Sequence, residues 1–210
     1  NHKLKMPIEL KNSIKTVDYI KSMKILEGRV KDVFLGNKDE FLWIIEHDPV
    51  YTAGTNSKEK ELLDKKINII KTNRGGKYTF HGPGQKTVYF VLNLNKRGKN
   101  IRKLINNIEK CIINILKEYE IKSYPDRKNI GIWVGKKDKL LKIAAIGIKV
   151  KKWIAYHGFS LNVSNDLSKY KAIIPCGIED KGITSLKEMG IRNYNNIDKI
   201  IIEKFLSVFL

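Results

Sequence analysis

Apolar and polar positions follow two rhythms along this chain. Val17, Ile20, Met23, Ile25, Leu26, Val30 and Val33-Phe34 recur near helical spacing and predict a first helix over residues 15–34. Ile101, Leu104, Ile105, Ile108, Ile112, Ile115 and Leu116 share one face of a stronger helix running from Ile101 to Tyr119. The other rhythm belongs to strands. Phe41-Leu-Trp-Ile-Ile45 is a short β-rich apolar run, and it ends in Glu46-His47-Asp48-Pro49, where the proline disfavours helix and marks a loop. Ser57 to Leu63 reads as a short helix, and Ile67–Lys71 and Thr87–Leu94 as strands on either side of a glycine-rich loop. Asn129–Val134, Leu141–Val150 and Trp153–Val163 predict an antiparallel run of strands. After them come a capped turn at Asp166, a Pro-Cys-Gly turn, a short helix from Thr184 and a C-terminal helix starting near Asn196. No internal repeat, linker or low-complexity segment interrupts the pattern. The expectation is one α+β domain over residues 1–210, a mixed, largely antiparallel sheet flanked by helices.

Composition narrows the function classes. A hydrophobic content of 42% with 9% aromatics is that of a folded domain and not of a disordered chain. Lys, Asn or Glu interrupts every apolar run before the roughly 20 residues a membrane helix needs. The first residues lack the apolar core of a signal peptide, and two cysteines do not make a disulfide framework, so a cytoplasmic location is expected. Nothing in the sequence demands more than a monomer. The net charge of +19 raises the question of nucleic acid. Yet lysine is spread along the whole chain among Ile and Asn, which reads as a solvated surface and not as a phosphate-binding face. Helix-turn-helix, zinc-finger and aromatic RNA-binding patterns are absent. Such a surface would still steer acidic proteins toward it.

Two segments carry candidate chemistry. Arg74-Gly-Gly-Lys-Tyr-Thr-Phe-His81-Gly-Pro-Gly-Gln85 has the glycines a backbone needs to approach a ligand closely. Far downstream, Pro175-Cys176-Gly177 puts a cysteine on a turn, where a sulfur is presented or simply packed. Cys111, inside the long helix, reads as a small hydrophobe of the core. A nucleophilic cysteine needs help, because an ordinary thiol with a pKa of about 8.5 is mostly protonated at neutral pH. Lys142 is the candidate helper: it begins an apolar strand whose small residues Ala144, Ala145 and Gly147 leave room for an extended ligand. Charged, such a lysine stabilises a thiolate; pressed against apolar walls it becomes a usable base. His81 and His157 are the alternative partners for the thiol, although the local signature of papain-like cysteines is missing. His2, His47, His81 and His157 show no metal-ligand spacing, so no metal is expected. The glycine loop is neither a P-loop nor G-x-G-x-x-G, so no nucleotide or other cofactor is expected.

Taken together, Arg74-Gly-Gly-x-x-Thr-x-His-Gly-Pro-Gly-Gln85, Lys142-Ile-Ala-Ala-Ile-Gly-Ile148, His157-Gly158 with Leu161-Asn162-Val163, and Pro175-Cys-Gly-Ile-x-Asp180 with Thr184-Ser-Leu186 resemble the lipoyl(octanoyl) transferase family. Glu46-x-x-Pro49-x-Tyr51-Thr52-x-Gly54 resembles that family's early motif. These blocks run in order from about residue 40 to 187 and cover most of the chain. Phe80 stands where tyrosine is common and Lys149 where arginine is common. The resemblance implies a fold similar to the catalytic domain of biotin protein ligases and lipoate ligases. It also implies transfer of an octanoyl group from octanoyl-acyl carrier protein to a lysine on lipoyl domains of 2-oxoacid dehydrogenase complexes and the glycine cleavage H protein. Carried over, Cys176 is the acyl-thioester nucleophile and Lys142 the group that lowers its pKa. Arg74, Gly75, Gly76, Lys77, Tyr78, Thr79, Phe80 and His81, then Ala145, Ile146 and Gly147, then Gly158, Phe159 and Ser160 fall on the family's substrate-lining segments. An ATP-dependent lipoate ligase of the same fold is the rival activity, and a basic nucleic-acid-binding module the rival of a different class.

Overall fold

The computed structural model describes residues 7–136, 138–174 and 182–210. Its elements in chain order are β1 (Ile8–Asn12), α1 (Tyr19–Leu35), β2 (Glu40–Ile45), β3 (Val50–Ala53), β4 (Ile69–Lys71), β5 (Tyr78–His81), β6 (Gln85–Asn93), α2 (Leu94–Arg97) and α3 (Ile101–Lys117). There follow β7 (Ser123–Pro125), β8 (Ile132–Lys136), β9 (Lys139–Lys151), β10 (Ile154–Asn162), β11 (Gly182–Ile183) and α4 (Ile197–Phe209). Among the described residues the main sheet runs β1-β2-β6-β10-β9-β8-β7, with β11 added beside β9. Its pairs are antiparallel except β1 with β2 and β11 with β9. A smaller sheet is ordered β4-β3-β5. The fold is α+β, as the pattern predicts.

Three apolar clusters show how the layers divide. On one face of the main sheet, Leu42, Ile44, Val88, Phe90, Ala155 and Phe159 pack against α3 and α4 through Ile108, Ile112, Ile201 and Phe205. On the other face, Phe41, Trp43, Ile45, Tyr89 and Val91 pack under α1 through Leu26, Val30 and Val33. The strict inward-outward alternation of β2 and β6 supplies both faces at once, which is why these strands read as continuous apolar runs. The third cluster, Ala53, Tyr78, Phe80, Tyr170 and Ile173, belongs to the small sheet. Glu40, 5% exposed, fastens strand ends to helices: it accepts from the Asn93 amide at 2.7 Å and from Arg97, whose guanidinium also donates to the Phe209 carbonyl at 2.8 Å.

Several elements differ from the sequence pattern for local reasons. α1 starts at Tyr19 because the Asp18 carboxylate accepts the Lys21 amide at 2.8 Å and caps the helix there. Residues 57–63 tighten only into a 3₁₀ turn at Glu59–Glu61. No helix forms from Thr184; Ser185 to Gly190 is a series of turns closed by Gly190 at φ 87°. β5 lies inside the stretch expected to be loop, because it pairs antiparallel with β3. α3 ends at Lys117, close to its expected limit. No helix among the described residues is long and apolar enough to cross a membrane.

Ile112 is fully buried at the centre of the largest cluster. Ile112→Ala should lower unfolding stability by about 2–5 kcal/mol, read as a fall in the urea midpoint with an unchanged slope.

Candidate active site

The placement of Lys142 depends on one irregularity. Across β8 and β9, Ile132 pairs with Ala144 while Trp133 pairs with Lys142, so Ile143 is an extra residue, a β-bulge. Ile143 and Ala144 both point into the core beneath α3 and α4. Lys142 therefore shares a face with Ala145 and Gly147, and all three line one cavity. In a regular strand, Lys142 and Ala145 would point to opposite faces. Lys142 is 4% exposed; its ammonium donates to the Ile130 carbonyl at 2.9 Å and sits 5.5 Å from the centre of the Trp133 indole. Gly131 makes room for it: a Cβ there would lie 2.3 Å from Lys142 Cε. Cys176 belongs to residues 175–181 and lies outside the described residues.

The glycine loop is stapled over β9. Arg74, nearly buried, donates to Thr52 Oγ1 at 2.8 Å and to the carbonyls of Lys77 and Gly75 at 2.9 and 3.0 Å. The Gly75 amide donates to the Ile148 carbonyl at 3.1 Å, and the Gly75 oxygen is 3.0 Å from where a Cβ on Gly147 would stand. This close approach is what the paired glycines are for. Glu46, from the early motif, accepts the Gly84 amide and pairs with Lys86, fixing the turn that leads out of β5.

Of the residues singled out in the first segment, Arg74, Gly76, Lys77, Tyr78, Thr79 and His81 line the cavity. Gly75 and Phe80 are not on its wall: Gly75 spends its peptide on β9, and Phe80 turns to Tyr51 and Tyr170, with ring centres 5.0 and 6.1 Å away. Ala145, Ile146 and Gly147 from β9, and Gly158, Phe159 and Ser160 from β10, all line it. Strand register orders the wall. Ala145, Ser160 and Thr87 form one row across β9, β10 and β6, and Gly147, Gly158 and Tyr89 the next. The cavity thus crosses two strand spacings, about 10 Å, from Lys142 toward β6.

Sequence reasoning missed the polar end of this cavity: Tyr19, Thr87 and Tyr89 line it, with His47 immediately behind. Only tertiary pairing brings these residues together. His47 Nδ1 faces the Val17 carbonyl at 2.9 Å and so carries the proton; Nε2 then accepts from the Tyr89 hydroxyl at 2.6 Å. His81 Nδ1 faces Gln85 Oε1 at 2.6 Å, and Gln85 Nε2 donates to Asn162 and Tyr170, which fixes the amide's orientation. His157 Nε2 meets Asn73 Oδ1 at 2.8 Å. Burial pushes the imidazole pKa down to about 4 for His47 and about 3 for His81 and His157, with the Arg74 cation adding to the shift of the last two. At neutral pH the three imidazoles are neutral, with the Arg74 guanidinium beside them. By contrast the Cys111 thiol, fully buried in α3, is pushed up to about 12, which makes it inert.

Comparison with known proteins agrees with this geometry. Residues 18–206 match the model of the lipoyl protein ligase A/B catalytic domain. An octanoyltransferase of Ehrlichia chaffeensis is 43% identical over 205 residues, covering 96% of each chain. One from Rickettsia peacockii is 46% identical over 197 residues, covering 91% of this chain and 94% of its own. Among solved structures, a bipartite lipoate protein ligase from Thermoplasma acidophilum superposes with a TM-score of 0.72 at 14% identity, over 97% of this chain and 84% of that one. A lipoate-protein ligase A bound with ATP gives 0.71 at 15% identity, over 96% and 85%. At such identities these two likenesses establish the fold alone.

The buried imidazoles tie stability to pH. Each is neutral in the folded chain and protonates near 6.5 when unfolded, so their contribution is complete above about pH 6.5 and is lost as pH falls toward 4 and 3. At pH 5 the loss should reach about 2 kcal/mol for each ring. Urea midpoints at pH 7 and pH 5 measure it, and His47→Gln should flatten part of the slope.

Proposed function

From membership of the lipoyl protein ligase A/B catalytic-domain family, to which this chain belongs, we propose that its single catalytic domain moves an octanoyl group from octanoyl-acyl carrier protein to a lysine of lipoyl domains through a thioester on Cys176. The chain is an octanoyltransferase. The observation that carries the residue assignment is where the chain enters and leaves residues 175–181. Ile183 pairs with Lys142, the Thr184 amide donates to the Lys142 carbonyl at 2.9 Å, and Tyr170 lines a small cavity together with Lys142, Thr79 and Ile183. The downstream flank of the Pro-Cys-Gly segment is moored to the buried lysine, and Tyr170 on the upstream side shares a small cavity with it.

The chemistry balances without an energy source. The Cys176 thiolate attacks the donor's carbonyl carbon; the new C–S bond forms, the old one breaks, and the carrier's sulfur leaves as a thiolate that takes its proton from the Lys142 ammonium, leaving that amine neutral. One thioester replaces another, so this exchange is close to isoenergetic. The acceptor amine then attacks the acyl-enzyme, a C–N bond forms, the bond to Cys176 breaks, and the amine's proton goes to Lys142 in its neutral form. Thioester becomes amide, which runs downhill. The Gly75 amide already donates to Ile148 and is not available to the oxyanion, which leaves Gly76, Gly147 and Cys176 as the backbone candidates. The floor kept open by Ala145, Gly147 and Gly158 suits an extended acyl chain. Donor, acceptor and a free nucleophilic thiol all suit a reducing cytoplasm. One chain carries every residue assigned a role, which supports a monomer.

The ligase reading is weaker, because the 43–46% identical relatives are octanoyltransferases while the ligases share only the fold. Incubation with octanoyl carrier protein and no ATP should give a mass increase of one octanoyl group on wild type and Cys111→Ala, and none on Cys176→Ala. A lipoyl domain added afterwards should remove the group. Strict dependence on ATP would favour the ligase instead.

A further inference from the structure

Glu61 is a buried carboxylate, 3% exposed, on a 3₁₀ turn that none of the catalytic motifs contains. One oxygen pairs with the Lys77 ammonium and the other accepts the Lys58 amide at 3.1 Å. Lys77 is fixed at its other end by the glycine loop: its carbonyl accepts from Arg74 at 2.9 Å and from the Gly54 amide at 3.1 Å, and its side chain forms part of the cavity wall. The main chain of Glu61 reaches the opposite way. Its carbonyl accepts the Ile174 amide at 2.8 Å, and Ile174 is the last described residue before Pro175-Cys176. The neighbouring residues extend this seam: Leu62 bridges Ile173, and the Leu63 and Asp64 amides donate to the Ala172 carbonyl at 2.9 and 3.0 Å.

We propose that Glu61 is a positioning residue that ties Ile173 and Ile174, the lead into the Cys176 segment, to the Lys77 wall of the acyl cavity, and that the reactivity of Cys176 depends on this tie. Apolar packing alone does not need a carboxylate here, since Leu62, Ile173 and Tyr170 already form a cluster at this seam. A buried ion pair adds what greasy contacts lack, a defined distance and direction. The contrast with the exposed pair Lys65–Glu59, at 3.9 Å on the same turn, is instructive: that pair is solvated and contributes little.

The inference rests on the Cys176–Lys142 reading, and the test separates the two. The pH dependence of Cys176 alkylation by iodoacetamide reports its thiolate, and single-turnover acylation by octanoyl carrier protein reports its placement. In wild type the alkylation midpoint should lie below the ordinary thiol value of about 8.5. Glu61→Gln should raise the midpoint toward that value and slow acylation by about ten- to a hundredfold, the cost of a small misplacement of the nucleophile. Lys77→Met breaks the same pair from its more exposed side, so it gives an independent reading should Glu61→Gln fold poorly. Its effect should match that of Glu61→Gln, the double variant should be no worse than either, and the swap Glu61→Lys with Lys77→Glu should recover much of the loss. Lys65→Met should change nothing. An unaltered midpoint in both single variants, or strictly additive losses, overturns the role of Glu61. A wild-type midpoint at the ordinary thiol value overturns the dyad itself.

Discussion

A single extra residue in β9 decides whether this protein has a site. Because Ile143 bulges, the strand presents Ile143 and Ala144 to the core and Lys142, Ala145 and Gly147 to the cavity. Lys142 is thereby buried against Trp133 and the Ile130 carbonyl, and Gly131 is the residue that leaves it space. Desolvating an ammonium is costly, and the bulge is worth its lost ladder pairing only if the charge has work to do. The remaining architecture can be understood as support for that placement.

The main sheet is covered unequally. One face is sealed along its length by α3 and α4, whereas the other is shared between α1 and the small sheet. The cavity lies where those two covers meet, roofed by the Arg74–Lys77 loop and floored by β9, β10 and β6. Small residues allow the roof to descend, with Gly54 against Gly76 and Gly147 beneath Gly75, while in the floor itself Gly158 admits the Val88 carbonyl of the next strand, where a Cβ would stand 1.9 Å from oxygen. Three neutral imidazoles and the Tyr89 hydroxyl gather at the far end beside the Arg74 guanidinium.

Most of this was legible where the information is local. The amphipathic stripe of α3, the antiparallel run β8–β10 and the glycine, lysine and histidine-glycine blocks announce themselves by spacing, and those blocks do line one cavity. What depends on pairing between distant segments was not legible. β1 is largely exposed and exists because it lies parallel to β2; β3 and β5 are four residues each and stand by pairing within the small sheet, β3 with both β4 and β5. The bulge at Ile143 leaves no mark in an apolar run of Ile and Ala. Tyr19, Thr87 and Tyr89 look like ordinary helix and strand residues until register lines them up on one wall. Phe80 sits inside a motif that lines the cavity, but strand alternation sends it to Tyr170.

The central claim is that the Lys142 ammonium, held in place by the bulge, keeps the Cys176 thiol ionised near neutral pH. Titrating the ultraviolet absorbance of the thiolate in Cys111→Ala and in Cys111→Ala/Lys142→Met tests it directly. The account predicts a midpoint well below the ordinary thiol value of about 8.5 in the first protein and a return to it in the second. Equal midpoints in the two proteins would contradict it.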